Sequence, residues 1–294
     1  MLSSSQSIAA LNFALQAKWR MHVLNGQPIS TLVNLHDYDI VVVNSSGGKD
    51  SIAALWQIMA MAEEQAYPSK NIHVSHQDLG ESEWRGVTAL VHQQAALFGL
   101  QVHVSRRRTQ DGDEETLLEY AERRGKWPSN AQRWCTSDFK RAPGARIVTQ
   151  LTKGLAKSKV LHIFGFRAEE SSNRSKRPVI SINTTLTTGK RTVVDFLPIH
   201  DKDLEWVWHI IRSNKLPYHW AYDKGMPRLS CCFCIFAPFD ALVIAGRENP
   251  ELLQKYVDAE QRMGHTFTQK FALAEVQQKI AEGYEPEGVS NWVM

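Results

Sequence analysis

Along the chain, apolar positions change their period in a regular order. Ile8, Leu11, Leu15, Trp19 and Val23 recur at three- and four-residue steps behind serines able to cap, which predicts an amphipathic helix. Asp39–Asn44 is a β-branched run that stops at Ser-Ser-Gly-Gly, the pattern of a buried parallel strand entering a loop. Helical spacing from Ser51 to about Ala66 ends before Pro68, Ile72–His76 reads as a short strand, Glu83–Phe98 as a helix closed by Gly99, and Gln101–Ser105 as a third strand. A helix over 138–153 leads to a strand at Val160–Phe164, and Val179–Ile182 with Thr192–Phe196 predicts an edge hairpin. From Asp201 onward the period is helical, with segments near 203–213, 238–247, 250–262 and 268–282.

Strands alternating with helices of ten or more residues require crossovers, hence a doubly wound, mostly parallel α/β sheet with helical N- and C-terminal extensions. The expected division is a helical extension over 1–30, a nucleotide-binding α/β domain over 31–200 and a cysteine-bearing, mainly helical region over 201–294. A chain of 294 residues with 43% apolar positions can build a sizeable core, which excludes disorder and small disulfide scaffolds. No apolar run approaches the roughly 18 residues needed to span a bilayer, and the first residues lack the order of a signal peptide. A cytoplasmic protein with no membrane association is expected. The net charge of +3 is uneven: Arg106–Arg191 holds 19 Lys and Arg against 9 Asp and Glu. That excess suits a polyphosphate or a nucleic acid, although a solvated basic face would look the same.

Ser45-Ser46-Gly47-Gly48-Lys49-Asp50-Ser51 lies between a predicted strand and a predicted helix. Two glycines let backbone N–H groups turn inward, the helix start adds partial positive charge, Lys49 adds a full charge, and Ser46 and Ser51 offer hydroxyls. A polyphosphate is the natural occupant. Asp50 between the lysine and the serine separates this order from the common Gly-x-x-x-x-Gly-Lys-Ser/Thr loop.

The six positions Ser-Gly-Gly-Lys-Asp-Ser resemble the PP-loop of the ATP pyrophosphatases. Further segments resemble the phosphoadenosine phosphosulfate reductase-like branch, in order over residues 40–240: His76-Gln77-Asp78-Leu79-Gly80-Glu81, then Gly165-Phe166-Arg167-Ala168-Glu169-Glu170-Ser171 with Arg174. Pro198-Ile199, Trp206-Val207-Trp208, Leu216-Pro217-Tyr218, Tyr222-Asp223-Lys224-Gly225 and Arg228-Leu229-Ser230-Cys231-Cys232-Phe233-Cys234 complete the series. The resemblance implies an adenine nucleotide alpha-hydrolase-like fold that binds ATP and Mg2+, with an acceptor oxygen attacking the α-phosphorus of ATP and pyrophosphate leaving. It places Lys49, Asp50 and Ser51 in catalysis, with Asp50 the first candidate to hold the metal. Ser45, Ser46, Gly47, Gly48, Asp78, Gly165, Arg167 and Arg174 would join them around the nucleotide. Salt bridges from Arg167 and Arg174 to Glu169 and Glu170 are the plainer alternative, and Trp206 and Trp208 are expected in the core.

Cys231 and Cys234 have a two-residue gap that lets both sulfurs reach one metal or cluster. By resemblance, Cys135 joins them around a 4Fe–4S cluster, with Cys232 the uncertain fourth ligand. Zinc with three cysteines and His219, or unliganded thiols, are the alternatives.

Within the branch, the chain looks most like the ATP pyrophosphatases of bacterial DNA phosphorothioation. That implies adenylylation of a DNA backbone oxygen and its replacement by sulfur from a cysteine desulfurase, alongside other sulfur-modification proteins. A tRNA-thiolating enzyme would be equally basic. A sulfonucleotide reductase (phosphoadenosine or adenosine phosphosulfate) attacks with a cysteine near the C-terminus, and no cysteine follows Cys234 here. A non-catalytic nucleotide sensor is the remaining alternative.

Overall fold

The computed structural model describes the chain apart from residues 1–7, 9, 16, 17, 19–25, 290, 291, 293 and 294. Of the first predicted helix, residues 10–15 are helical, and its positions Trp19 and Val23 lie outside the described residues.

Six strands form one sheet in the order β3-β2-β1-β4-β6-β5: β1 (Ile40–Asn44), β2 (Ile72–Gln77), β3 (Gln101–Ser105), β4 (Ser158–Ile163), β5 (Ile180–Ile182) and β6 (Arg191–Phe196). β1 runs parallel to β2 and β4, and β4 parallel to β6, whereas β5 is antiparallel to β6, as the edge hairpin required. The order reverses between β1 and β4. Loops leaving the carboxyl ends of those two strands therefore diverge to opposite faces and leave a crevice.

Alternation along β1 explains both faces. Val41 and Val43 face Ile52, Leu55 and Ile58 of α1 (Lys49–Glu64), in a core that continues to Phe196 and to Val207 and Ile211 of α5 (Leu204–Ser213). Ile40 and Val42 share the other face with Val160, Val193 and Val148, the last from α4 (Ala142–Leu151). Trp206 and Trp208 pack half-buried against the first core, as expected.

The described chain forms two compact units whose segments interleave, where the sequence suggested linear blocks. The first comprises residues 1–76, 89–104 and 145–217, and holds the sheet; the second comprises 77–88, 105–144 and 218–294. The interleaving has a local cause: the connections after β2 and β3 carry Trp84, Tyr120, Trp127 and Trp134, whose rings share one apolar core with Phe233, Tyr256 and Phe267.

Two helix starts and one whole helix differ most from the sequence reading. The helix expected from Glu83 begins as α2 (Val87–Ala96), because Gly86 takes φ +91° just before it. The helix expected from 268 begins as α8 (Leu273–Ala281), where Glu275 accepts from the Ala272 N–H at 2.9 Å. The sequence reading omitted α3 (Leu117–Arg124), which Thr116 and Glu119 start as a reciprocal capping box and Gly125 ends at φ +65°. Among the described residues no helix is long and apolar enough to cross a membrane.

In the second unit Glu260, on α7 (Pro250–Met263), is only 7% exposed. One of its carboxylate oxygens accepts from the Leu273 N–H at 2.8 Å and the other from the Phe267 N–H. Glu260→Ala should strand two buried donors and cost about 3 kcal/mol in chemical denaturation, with Glu260→Gln intermediate. An unchanged denaturation midpoint in both variants would show that these bonds do not support the unit.

Candidate active site

In the first unit, β1 delivers Ser45–Gly48 to the start of α1. Gly47 takes φ +70°, a conformation that a side chain disfavours. Gly48 is the extended N-cap of α1; its carbonyl accepts from the Ser51 N–H at 3.1 Å and from the Ser51 hydroxyl at 2.8 Å. Ser45, Lys49 and Ser51 are buried and Ser46 is exposed. Neighbours hold the loop in place: buried His76 donates Nδ1 to the Ser45 carbonyl at 2.9 Å, and Gln94 donates to the carbonyls of Gly47 (3.4 Å) and Pro217 (2.9 Å). Gln94 was not foreseen, since a single glutamine on a helix gives no sign of the loop 47 residues upstream.

The loop after β4 closes on the same place. A Cβ built on Gly165 would lie 2.5 Å from the Asp50 carbonyl oxygen and 3.1 Å from the Ser51 nitrogen, so only glycine lets the two backbones touch. Arg167, 2% exposed, donates Nε to Asp50 Oδ1 at 2.6 Å and Nη1 to Glu169, while Lys49 Nζ meets Asp50 Oδ2 at 3.0 Å. Burial pushes the Asp50 carboxyl up, but the charges of Lys49 and Arg167 outweigh it and hold the group below the ordinary carboxylate range. Arg174 pairs with Glu170 and lies over Phe166, its Cζ 4.5 Å from the ring centroid. Its carbonyl accepts from Nε2 of buried His200 at 2.9 Å, a second support that sequence spacing did not suggest. The structure thus brings together residues 45–51, Gly165 and Arg167. Both arginines engage the acidic side chains that the plainer alternative assigned to them, and Arg167 reaches Asp50 as well.

In the second unit Asp78 is buried. Its Oδ1 accepts from the Gly80 N–H at 2.7 Å, and Arg106 reaches Oδ2 through Nε and Nη2 at 2.9 and 2.7 Å. Arg107 pairs with Glu115, whereas Arg108 and Arg141 are exposed.

The same unit carries the cysteines. Residues 137–141 after Cys135 widen into a π-helical turn that includes Lys140. The charge of Cys231 raises Lys140 above its ordinary range, burial opposes this, and Cys234, Cys135 and Glu83 add to the rise. Burial and the neighbouring Cys231 raise Cys135, and the same two causes push Cys234 up to about 12. Cys135, Cys231 and Cys234 are therefore electrostatic neighbours around one lysine. Cys232, 1% exposed, is raised by burial and by Cys231, and its other charged neighbour is Arg85. Its surroundings are not those of the other three. His219 has no nitrogen to spare for zinc: Nδ1 accepts from the Ala221 N–H at 3.1 Å, which leaves Nε2 as donor to the Arg85 carbonyl at 3.1 Å.

The family model of the phosphoadenosine phosphosulfate reductase domain matches residues 40–237. Two uncharacterized proteins of Methanocaldococcus jannaschii are similar. One is 25% identical over 254 residues, 86% of this chain and 45% of that protein; the other is 32% identical over 157 residues, 51% and 34% respectively. The chain spans less than half the length of either relative. The crystal structure of phosphoadenylyl-sulfate reductase from Candida auris is similar over 79% of this chain and 97% of that one, at 19% identity and a TM-score of 0.47.

Gly165→Ala should push the β4 loop off the start of α1, leaving the sheet folded while impairing nucleotide binding; calorimetric binding equal to wild type would refute the close approach. Asp50 gives a second expectation, set by the sign of its shift. Its ionised form contributes stability above its unfolded pKa of about 4, and that contribution is lost as pH falls through the lower folded value. The stability gap between wild type and Asp50→Asn should be widest at neutral pH and shrink in acid. A gap independent of pH would contradict the pairing.

Proposed function

Because the chain belongs to the phosphoadenosine phosphosulfate reductase domain family, we propose that it is an ATP pyrophosphatase that adenylylates a DNA backbone oxygen for replacement by sulfur. The observation that carries the reading is the complete anion cradle at the start of α1. Gly47 and Gly48 turn the backbone, and Lys49 and Ser51 stand behind it at the reversal of strand order.

In this reading the acceptor oxygen attacks the α-phosphorus of ATP, the bond from that phosphorus to the bridging oxygen breaks, and pyrophosphate leaves. Lys49, the Ser51 hydroxyl once turned from the Gly48 carbonyl, and N–H groups of the loop stabilise charge growing on the leaving group. Arg167 orients Asp50 and keeps it ionised, which suits that carboxylate to a divalent cation. Bound Mg2+ would neutralise further pyrophosphate charge. The outer sulfur of a persulfide on a cysteine desulfurase then bonds to the activated phosphorus as AMP leaves, and a thiol reductant cleaves the remaining S–S bond to free the phosphorothioate. Exposed Arg108 and Arg141 supply contacts for a DNA backbone.

The thiols of Cys135, Cys231 and Cys234 fit a 4Fe–4S cluster, as a sulfur-only donor set gathered from two distant segments beside a cation. When bound, it would cross-link residues 134–141 to the 231–234 turn. Cys232 stands apart as a fourth ligand, and the two backbone bonds of His219 count against the zinc alternative.

The decisive experiment is product analysis of labelled ATP with anaerobically prepared protein, DNA and a cysteine desulfurase. Pyrophosphate and AMP are expected; ADP and phosphate, or no product, would reject the pyrophosphatase. Lys49→Ala and Ser51→Ala should each slow the reaction by about 10²–10³-fold, the effect of losing one such donor. Wild-type rates in either variant would remove the loop from the mechanism. The protein should carry about four irons per chain, lost on replacing Cys135, Cys231 or Cys234 by serine and less affected by Cys232→Ser; stoichiometric zinc without iron would reject the cluster. Duplex DNA binding should weaken with salt, log affinity falling about 0.9 per phosphate contact, and should weaken further in Arg108→Glu and Arg141→Glu. Salt-sensitive binding to tRNA alone would move the substrate to tRNA, and tight sulfonucleotide binding with no nucleic-acid affinity would restore the reductase.

A further inference from the structure

Away from the nucleotide cradle, His73 of β2 and His103 of the neighbouring edge strand β3 meet ring to ring in the first unit. His103 Nε2 lies 3.2 Å from His73 Nδ1, with ring centroids 5.1 Å apart and planes at 63°. Both side chains are half-buried. His73 is registered with Val42 and so stands on the α4 side of the sheet; Val102, one residue from His103 on β3, packs into the opposite core.

From this geometry we infer that His73 and His103 form a two-imidazole chelate for a divalent transition-metal ion of the Zn2+, Ni2+ or Co2+ type. The separation of the two nitrogens is the first reason. Imidazole nitrogens bind such ions at about 2.0–2.1 Å, so two of them 3.2 Å apart subtend an angle of about 100° at a shared ion, between octahedral and tetrahedral values. Adjacent strands fix that spacing before any ion arrives, so little ordering is required on binding.

Protonation is the second reason. Burial lowers both imidazoles, and His73 is lowered further by its neighbour, so both rings are neutral at physiological pH and have lone pairs to give. Without an ion, the two facing nitrogens share one proton. An ion replaces that proton, which moves to the outer nitrogen of the same ring, so no net proton release is needed. Ligand chemistry sets the choice of metal: a neutral pair of imidazoles favours borderline ions over Mg2+ and Ca2+, which prefer oxygen. The remaining coordination positions would be filled by water, since neither ring is fully enclosed. The consequence for the fold is a clamp between an edge strand and its neighbour.

The test uses the full chain without an affinity tag, titrated calorimetrically with Ni2+ at neutral pH. Beyond any uptake by the cysteines one site is expected, and His73→Gln or His103→Gln should each weaken it at least about tenfold, because a chelate loses its advantage with either ligand. The double variant should fall little further, and His92→Gln, at an exposed position on α2, should bind as wild type. The cysteines are intact in all these proteins, so metal taken up by thiols cancels in the comparison. Two measurements on unaltered protein cover the case of a variant that fails to fold: Ni2+ should protect His73 and His103 from diethylpyrocarbonate, mapped by mass spectrometry, and should slow amide exchange in β3. Equal affinity in wild type and both single variants, or modification of both histidines unaffected by Ni2+, would overturn the site.

Discussion

Everything in the candidate site depends on a place where the chain tolerates no side chain. The backbone at Gly165 rests against the backbone of Asp50, close enough that a Cβ would lie 2.5 Å from its carbonyl oxygen. Two loops that leave neighbouring parallel strands on opposite faces would ordinarily diverge. Here they are joined at their base, and Arg167, two residues beyond the contact, reaches across to the Asp50 carboxylate. A buried guanidinium is costly unless its donors are met, and Asp50 and Glu169 meet two of them. The contact and the ion pair therefore support each other: the glycine lets the arginine reach Asp50, and the arginine adds to the hold that His200 has on the same loop.

The supports of the loop come from the sheet and from α2. His76 ends β2 and holds the Ser45 carbonyl, Gln94 on α2 holds that of Gly47, and Asn44 ends β1 and donates to the Ile163 carbonyl of β4 at 3.0 Å. The first two each tie the glycine-containing loop to a regular element through one carbonyl, and the third ties the end of β1 to the end of β4. Within the loop, the Gly47 N–H donates to the Ser45 hydroxyl at 3.3 Å, that of Ser45 pairs with β2, and that of Ser51 turns back to the Gly48 carbonyl at 3.1 Å. A loop fixed by its carbonyls suits an anion site, because a reorganising loop would lose the stabilisation it offers.

Much of this was readable from the chain, for identifiable reasons. Val41–Val43 could be assigned to a buried parallel strand because apolar β-branched runs have few other uses, and Gly47-Gly48-Lys49 because strand, loop and helix follow in order. The three sulfurs were readable because cysteine is rare and its spacing carries meaning. Other features left no local trace. Gln94 and His200 act on carbonyls far away in sequence, and a carbonyl has no identity to read. That Arg167 turns inward to Asp50 depends on the β1–β4 adjacency, which is a property of the sheet order. The helix at Leu117–Arg124 is a different case: Thr116, Glu119 and Gly125 mark it locally, but its strongly charged run masks a short apolar stripe.

The charge balance around Asp50 bears on what can enter. Lys49 and Arg167 bring two positive charges, and Asp50 and Glu169 return two negative ones, so the resting network is neutral. A bare polyphosphate approaching Lys49 would gain that cation's attraction and meet the repulsion of the carboxylate already beside it. A polyphosphate arriving with a divalent cation would meet a different arrangement, with Asp50 placed to hold the cation and Lys49 to turn toward phosphate. In the proposed reaction this would make Asp50 a selector for the metal-bound nucleotide. The buried Arg167 keeps the other carboxylate oxygen fixed meanwhile, so the selector stays ionised and in place while its partner changes.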